Sequence, residues 1–286
     1  MEHVVCLGTV ACNVGEKLGK YKNYKMYYLD DSPLAIKAKR ASFKQLKKHD
    51  SPENYESTYE EDDFLSKVSG NVTFIVCGAS LISGALLRML QSIRPRTPEG
   101  VRILYIKPET DLLSETKKLH ERVVRNVLQQ YARSGALRQL ALVSNESLSG
   151  LLEEVSLLEH FDKINEIIAS TFHMVNVFKN TKSVVDTLSS PRPTSRILTY
   201  SIFSPVQLDM PHETPLYPMN ELTEAQYYYG IPTEALHKEK NLYKLVLAEM
   251  KKRLENFPKV SYGIYETSYD TKIGYGILYS NKIQEE

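Results

Sequence analysis

Residues 72–84, VTFIVC followed by GASLISG, decide the fold class of this chain. Val72–Cys77 is an uninterrupted apolar run, which is typical of a strand buried on both faces of a parallel sheet. The small residues of Gly78–Gly84 follow, and apolar residues then recur at helical spacing over Ala85–Ile93. This order of strand, small-residue turn and helix is the repeating unit of a doubly wound α/β sheet.

The alternation of strands and helices continues on both sides of this stretch. Apolar runs typical of strands lie at residues 4–7, 26–29, 102–106 and 140–143, and a long helix is predicted over Phe161–Phe178. A Pro/Ser-rich boundary follows at Ser189–Ser195. We predict a mainly parallel, doubly wound α/β domain over residues 1–160, a long central helix and its following loop over 161–190, and a smaller α+β domain over 191–286.

Three local patterns give more specific expectations. The basic segment Ser32–Lys48 is predicted to be helical, and the polar, acidic segment His49–Asp63 is predicted to be a loop. Near the end of the chain, alternating Tyr and Ile residues over Val260–Thr267 and Lys272–Ser280 flank Asp270-Thr271. This pattern predicts a β-hairpin.

Composition excludes several classes of protein. The 286 residues include 36 Lys plus Arg and 35 Asp plus Glu, and a net charge of +1 argues against a protein that wraps nucleic acid. Three cysteines fit a reducing compartment, and neither they nor the scattered histidines have metal-site spacing. Without a signal sequence or an apolar run of about 18–20 residues, we expect a cytoplasmic protein with no membrane or nucleic-acid partner. If the chain is virus-encoded, the host cytoplasm or the virion is expected.

Small residues follow three of the predicted strands, at Gly8–Gly15, at Gly78–Gly84 and at Lys107-Pro108. Ligands of doubly wound sheets bind at the carboxyl ends of the strands, and small residues before a helix can hold phosphate through backbone N–H groups. The alternative is that tight turns from strand to helix require small residues in any case.

Five segments resemble, in order, motifs of the tubulin/FtsZ family over about residues 1–180. The first loop, with Asn13 at the position of an amide, resembles the opening turn of tubulin, and Gly78–Ala85 lies where the family carries G-G-G-T-G-[ST]-G-[AS]. The other three are Lys107-Pro108, similar to the Lys-Pro end of an FtsZ strand, Val143–Leu148, similar to I-P-N-D-K-L, and Phe161–Ile168, similar to the central-helix start A-F-x-x-A-N-D-V-L.

This resemblance implies a site for GTP or GDP, with Mg²⁺ bound only together with the nucleotide and no separate metal site. The matching positions that would contact the nucleotide are Gly8, Asn13, Gly15, Gly78, Ser80, Ser83, Gly84 and Asn165. In the family, the asparagine at the position of Asn165 reads the guanine edge; the alternative is a helix-surface asparagine without a special contact. The resemblance also implies head-to-tail self-association, in which a carboxylate of the next subunit positions the attacking water. Asp186 is the nearest candidate for this catalytic group.

Several residues depart from the family pattern at these loops. Ala79 and Ser80 stand in place of glycine, and Leu81 and Ile82 replace a threonine and a glycine. A β-branched residue is a poor choice where the backbone approaches phosphate closely. The loop after the predicted central helix would supply the carboxylate that positions water. In this loop Lys182 stands where the family has an acidic residue, and a lysine does not polarise water as a carboxylate does.

These departures favour a divergent tubulin/FtsZ-like structural or cytoskeletal protein with a degenerate nucleotide site and weak or absent GTP hydrolysis. It would form filaments or belong to a larger assembly, which includes a viral one. Two alternatives stay open: an active, GTP-dependent filament-forming GTPase, and an unrelated doubly wound module that binds a small molecule.

Two further segments have two interpretations each. The basic run Lys37–Lys48 is either a solvated helix face or a contact for phosphate or an acidic partner. Tyr227–Tyr229 either forms a protein–protein interface or packs against the sheet of the second domain.

Overall fold

A computed structural model of the chain describes residues 1–33, 41–111, 113–152, 155–205 and 213–285. The chain divides into two compact units, Met1–Ser170 and Thr171–Glu286. The long helix α6, Leu157–Lys179, begins in the first unit and ends in the second.

The first unit is built from alternating strands and helices. Its elements before α6 are β1 (Glu2–Leu7), α1 (Thr9–Leu18), β2 (Tyr24–Asp30), β3 (Ala41–Gln45), α2 (Pro52–Thr58), β4 (Val72–Cys77), α3 (Leu86–Ile93), β5 (Arg102–Lys107), α4 (Glu115–Ser134), β6 (Gln139–Ser144) and α5 (Asn145–Ser149). Two 3₁₀ turns, Leu81–Ala85 and Arg94–Arg96, flank α3.

The strands of the first unit form a parallel sheet in the order β3-β2-β1-β4-β5-β6. Every residue of β4 is buried, as the continuous apolar run predicts for a strand covered on both faces. Because β2, β1 and β4 are neighbours and parallel, the loops that follow them emerge at one edge of the sheet. The predicted doubly wound fold with a long helix is confirmed.

The predicted helix over Ser32–Lys48 is wrong over Ala41–Gln45, which forms β3; residues 34–40 lie outside the described part of the chain. The register pairs Met26 with Ala41 and Asp30 with Gln45. Pairing with β2 therefore overrides the local preference. The half-exposed, lysine-containing strand suits the edge of a sheet, where charged side chains discourage pairing with another chain.

The predicted loop over His49–Asp63 is wrong over α2. Ser51 caps this helix by accepting a hydrogen bond at Oγ from the Asn54 N–H, at 3.2 Å, and Pro52 occupies the first turn. Both are ordinary start signals of a helix. Tyr55 is buried, so one side chain anchors a segment whose overall polarity suggested a loop.

The second unit combines a mixed sheet with two helices. After α6 it contains β7 (Val185–Asp186), β8 (Ile197–Phe203), β9 (Glu213–Pro215), β10 (Leu222–Pro232), α7 (Thr233–Lys238), α8 (Leu242–Leu254), β11 (Val260–Thr267) and β12 (Ile273–Ser280). Its strands follow the order β8-β12-β10-β11-β7, with β9 beside β8.

The predicted hairpin of β11 and β12 is wrong, because β10 lies between these strands. It pairs parallel to β11 and antiparallel to β12. The eleven-residue strand β10 thus pairs with two strands that are close to each other in sequence. Local turn signals do not reveal that a third strand lies between them.

The three tyrosines of β10 are core residues, which confirms the packing interpretation of Tyr227–Tyr229. Their exposed fractions are 0%, 2% and 0% in chain order. Each hydroxyl donates a hydrogen bond: Tyr227 to Glu213 at 3.2 Å, Tyr228 to Gln226 at 3.2 Å and Tyr229 to Glu249 at 2.9 Å. Buried tyrosines require such partners, so this cluster is part of the fold.

Candidate functional site

The loops after β1 and β4 meet at the carboxyl edge of the parallel sheet. Gly8 follows β1 with φ 86° and ψ 163°, and its N–H donates to the Leu29 carbonyl at 2.8 Å. A Cβ atom on Gly8 would lie 2.9 Å from Ile82 Cγ2 and 3.2 Å from Ser80 Oγ. The structure therefore brings together Gly8 and Ser80, two predicted site residues, but places the buried Ile82 side chain between these loops.

The other glycines of the predicted site are explained by close packing. A Cβ on Gly78 would overlap the Tyr105 hydroxyl, and one on Gly84 would overlap the backbone carbonyl of Pro52 at the start of α2. A Cβ on Gly15 would lie 2.5 Å from Cys6 Sγ and 2.7 Å from Tyr28 Cε1. These three positions need glycine because neighbouring protein atoms fill the space, which is a structural requirement independent of phosphate.

The segment after β4 closes on itself as a 3₁₀ turn. The Ser83 N–H donates to the Ser80 carbonyl at 3.0 Å, and the Ser80 N–H donates to the Cys77 carbonyl at 3.4 Å. Two backbone donors of the kind that a phosphate cradle uses, the N–H groups of Ser80 and Ser83, are thus engaged within the turn. The residues present do not fit an open phosphate loop of the kind that the resemblance implies.

His120 on α4 belongs to this site, although no motif in the sequence predicts it. Its Nε2 lies 2.9 Å from Ser83 Oγ and 3.2 Å from the Ser80 carbonyl oxygen. Ser83 is buried, so its hydroxyl is directed to His120 inside the unit. A single histidine 37 residues away in sequence carries no local signal of this contact.

Two carboxylates end β2 beside the first loop. Asp30 is buried, and its pKa is raised, mainly by burial and also by the neighbouring Asp31, against hydrogen bonds from the Ser32 N–H and the Thr9 side chain. Burial acts in the same direction on Asp31, but hydrogen bonds from Tyr55 and Ser32 prevail and lower the Asp31 pKa. Burial, together with the bond to Asp31, raises the Tyr55 pKa to about 12. Neither carboxylate belongs to the motifs by which the sequence predicted site residues.

The remaining predicted site residues lie in different surroundings. Asn13 is exposed on α1, whereas Asn165 is buried within α6, with 8% of its surface exposed. Its burial contradicts the alternative of a helix-surface asparagine. Neither residue takes part in the hydrogen bonds that join Ser80, Ser83 and His120. Asp186 is exposed in β7, opposite Gly263 of β11, and accepts a hydrogen bond from Ser183 Oγ.

A small polar network of Glu109, Ser149 and His160 holds the loop after β5 in place. Ser149 Oγ donates to the Glu109 carboxylate and lies 3.1 Å from His160 Nε2. The serine stands between the other two groups, so the histidine is not oriented by the carboxylate as in a hydrolytic triad. Asp111 and Lys117, two charged residues that follow β5, are both exposed.

The described residues contain neither a candidate metal site nor a helix that could span a membrane. No group of three or more His, Cys, Asp or Glu side chains among them could hold a metal ion. No helix in the described ranges combines the length and apolar character needed to cross a membrane.

The folds of solved proteins define the class. TubZ from Bacillus thuringiensis serovar israelensis, in a GTPγS-form protofilament, matches with a TM-score of 0.70 at 13% identity, covering 97% of this chain and 86% of that one. FtsZ from M. jannaschii, an empty dimer, matches at 0.67 and 10% identity over 98% and 88% of the chains. CetZ1 from Haloferax volcanii, a GDP-bound monomer, matches at 0.67 and 16% identity over 98% and 94%.

The chain has the tubulin/FtsZ fold. At these identities the likeness establishes the fold alone. No model of a known protein family matches the chain, and no curated protein sequence is similar to it. The tubulin/FtsZ fold contradicts the fold part of the alternative, a doubly wound small-molecule binding module unrelated to this family.

Proposed function

We propose that this protein is a self-assembling structural protein of the tubulin/FtsZ type that has a degenerate nucleotide site and little or no GTP hydrolysis. Its partners are further copies of itself, joined head to tail, or another protein of a larger assembly, which includes a viral one. Its place is the cytoplasm, or the virion if a virus encodes it. The solved TubZ structures include a protofilament and two- and four-stranded filaments, and this supports self-association as the role of the fold.

The contact of Ile82 with Gly8 carries the proposal. A phosphate group must approach backbone N–H groups directly, but a branched apolar side chain fills the space above Gly8. Moving a phosphate there would desolvate its charge against Ile82 without supplying donors, which is unfavourable. The internal bonds of the 3₁₀ turn act in the same direction.

The alternative of an active GTPase is favoured by one observation. Asp186 is an exposed carboxylate after α6, so its side chain is accessible to a second copy. In that case Gly8, Asn13, Gly78, Ser83, Gly84 and Asn165 would contact GTP with Mg²⁺, and Asp186 would position water. Lys182 and the blocked Gly8 argue for the structural role instead.

One experiment separates the two functions. Purified protein is mixed with labelled GTP and Mg²⁺, and nucleotide binding, turnover and light scattering are followed together over a series of protein concentrations. We expect scattering that rises with protein concentration, no micromolar nucleotide binding and no turnover above that of buffer. Micromolar binding with turnover rising steeply with protein concentration would establish the active GTPase, and an Asp186→Asn variant would then lose turnover. If the protein stays monomeric at all concentrations, the assembly role is wrong.

A further inference from the structure

A groove lies between α2, α3 and α4 of the first unit. It contains a cavity of about 170 Å³ with walls that include Leu86, Leu87, Val124 and Leu128. A dry cavity of about 150 Å³ accommodates a benzene ring, so this volume suits one aliphatic or aromatic side chain. Ser83 and Gly84 line the same cavity, and an occupant would therefore contact the turn that follows β4.

An exposed apolar stripe on α4 extends the groove. Leu119 is 59% exposed and Val123 is 51% exposed. Val127, one turn further, lines the cavity. Residues four apart lie on one face of a helix, so the three side chains form a row about 12 Å long. A groove lined by such a row binds the apolar face of an amphipathic helix.

The opposite wall of the groove is acidic. Residues 50–63 contain seven Asp and Glu and no Lys or Arg. Glu53 and Glu56 of α2 line the cavity and are exposed. Neither forms an ion pair with a residue that the structure describes. Unpaired carboxylates beside an apolar row select a partner helix that is both basic and amphipathic.

The chain itself carries such a helix in its second unit. On α8 the residues Lys244, Leu245, Ala248, Lys251 and Lys252 are exposed, and their spacing of three and four places them on one face. Among the described ion pairs, none involves these three lysines. Leu245 supplies an apolar side chain, and the small Ala248 permits a close approach to another helix.

We propose that α8 of a second copy docks in the groove between α2 and α4. Leu245 faces the apolar row of α4, and Lys244 and Lys251 face Glu53 and Glu56. The contact joins two different surfaces of the chain, so its repetition builds a filament, or a ring if the rotation between copies closes. It rests on the proposed self-association but not on any nucleotide, and Ser83 and Gly84 at the groove connect its occupancy to the turn after β4.

Charge reversal tests the pairing in the full-length protein. Glu53→Lys/Glu56→Lys and Lys244→Glu/Lys251→Glu should each weaken self-association at least about tenfold, because each brings like charges together. The quadruple variant should restore it. The control is Asp270→Lys/Glu285→Lys, which changes the net charge as Glu53→Lys/Glu56→Lys does, but at exposed positions outside the groove. It should leave association unchanged. Sedimentation velocity gives the association state, and thermal unfolding verifies the fold of each variant; Glu53→Gln/Glu56→Gln replaces the first variant if that one unfolds.

Photo-crosslinking identifies the occupant and separates this inference from the proposed function. A benzoylphenylalanine at Leu119 should form intermolecular crosslinks to peptides of α8 in the assembled protein. Assembly without these crosslinks, or an unrescued quadruple variant, overturns the α8 contact while leaving self-assembly intact. If the Glu53/Glu56 variant changes the association state but the Lys244/Lys251 variant does not, a foreign basic protein occupies the groove. This result also overturns the α8 contact. Failure of the wild-type protein to assemble under any condition overturns the proposed function itself.

Discussion

The Cγ2 atom of Ile82 lies 2.9 Å from the point where a side chain on Gly8 would begin. Gly8 has a positive φ that glycine adopts without strain, so the backbone conformation of the first loop is one that a phosphate-binding turn can use. The neighbouring loop supplies a branched apolar side chain at the point of contact. The proposal of a degenerate nucleotide site within a tubulin/FtsZ-like fold rests on this relationship of Ile82 and Gly8.

Removing the Ile82 side chain should open this site. We expect Ile82→Ala to raise the affinity for a fluorescent GTP analogue at least about tenfold, equivalent to about 1.4 kcal/mol, and to lower the free energy of unfolding by about 2–4 kcal/mol. Fluorescence titration and urea unfolding measure the two effects. Ile75→Ala, at a fully buried position of β4, serves as the control with a similar loss of stability. Equal nucleotide affinity in both variants would mean that Ile82 does not block binding.

The glycines of the predicted site should differ in tolerance from an unrelated glycine. Gly84→Ala would push α2 away, because the added methyl group overlaps the Pro52 carbonyl; we expect a loss of about 1–3 kcal/mol. The nearest atoms to a Cβ on Gly150 are 3.8 Å away, so Gly150→Ala should change stability by less than about 0.5 kcal/mol. Urea unfolding compares the two variants. A neutral Gly84→Ala would show that α2 does not pack on this turn in solution.

The buried ion pairs of the second unit should be sensitive to loss of the cation. Arg253 is 4% exposed; it pairs with Glu213 and, at 3.1 Å, with Glu249, and its guanidinium lies 3.9 Å from the centre of the Tyr227 ring. We expect Arg253→Ala to cost about 3–5 kcal/mol, because it removes the guanidinium that faces the buried Glu249 carboxylate and the partly buried Glu213 carboxylate.

The neighbouring Lys252 is exposed and provides the matched control. Its replacement by alanine should change stability by no more than about 0.5 kcal/mol, as measured by thermal and urea unfolding. Comparable losses in both variants would contradict the role assigned to the buried pairs.

The protein should lose stability in alkali through its buried thiols. Burial is the main cause that raises the pKa of Cys77 from 9.0 to about 11. The folded state therefore retains a proton that the unfolded chain loses above about pH 9. The contribution of the protonated Cys77 thiol to the free energy of unfolding is fully present below pH 9, and it declines as the pH rises toward 11.

Urea unfolding at pH 8 and pH 10.5 measures this decline. Cys77→Ala should reduce the difference in unfolding free energy between these two pH values by about 2 kcal/mol relative to the wild type. An identical difference in both proteins would show that Cys77 titrates normally in the fold.

The sequence predicted the main elements of the first unit because their signals are local. The apolar run of β4 and the helical spacing of α6 are determined by which residues are buried, and burial leaves a periodic pattern in the chain. The predictions for β3 and for the pairing of β11 were wrong for the opposite reason. Strand partners come from distant parts of the chain. Residues 41–45, in a segment whose composition suggested a helix, become a strand only through pairing with β2, and β10 lies between two strands that are adjacent in sequence.

The candidate site also combines a feature that is visible in the sequence with contacts that only the folded chain creates. The replacement of glycine by Ile82 is visible in the sequence, and it predicted a departure from the family pattern. The contact of Ile82 with Gly8, the hydrogen bond between Ser83 and His120, and the approach of Pro52 to Gly84 join segments that are 32 to 74 residues apart. No periodicity or motif encodes which distant atoms meet.

Hydrophobic periodicity and turn residues act over a few neighbouring positions, and for this reason the amino-acid sequence predicted the class of fold and the order of its loops. The packing of Ile82 against the Gly8 loop, the core position of the three tyrosines of β10 and the groove beside α4 exist only in the folded chain. These features depend on close packing between distant segments, and no local pattern records which distant side chains meet.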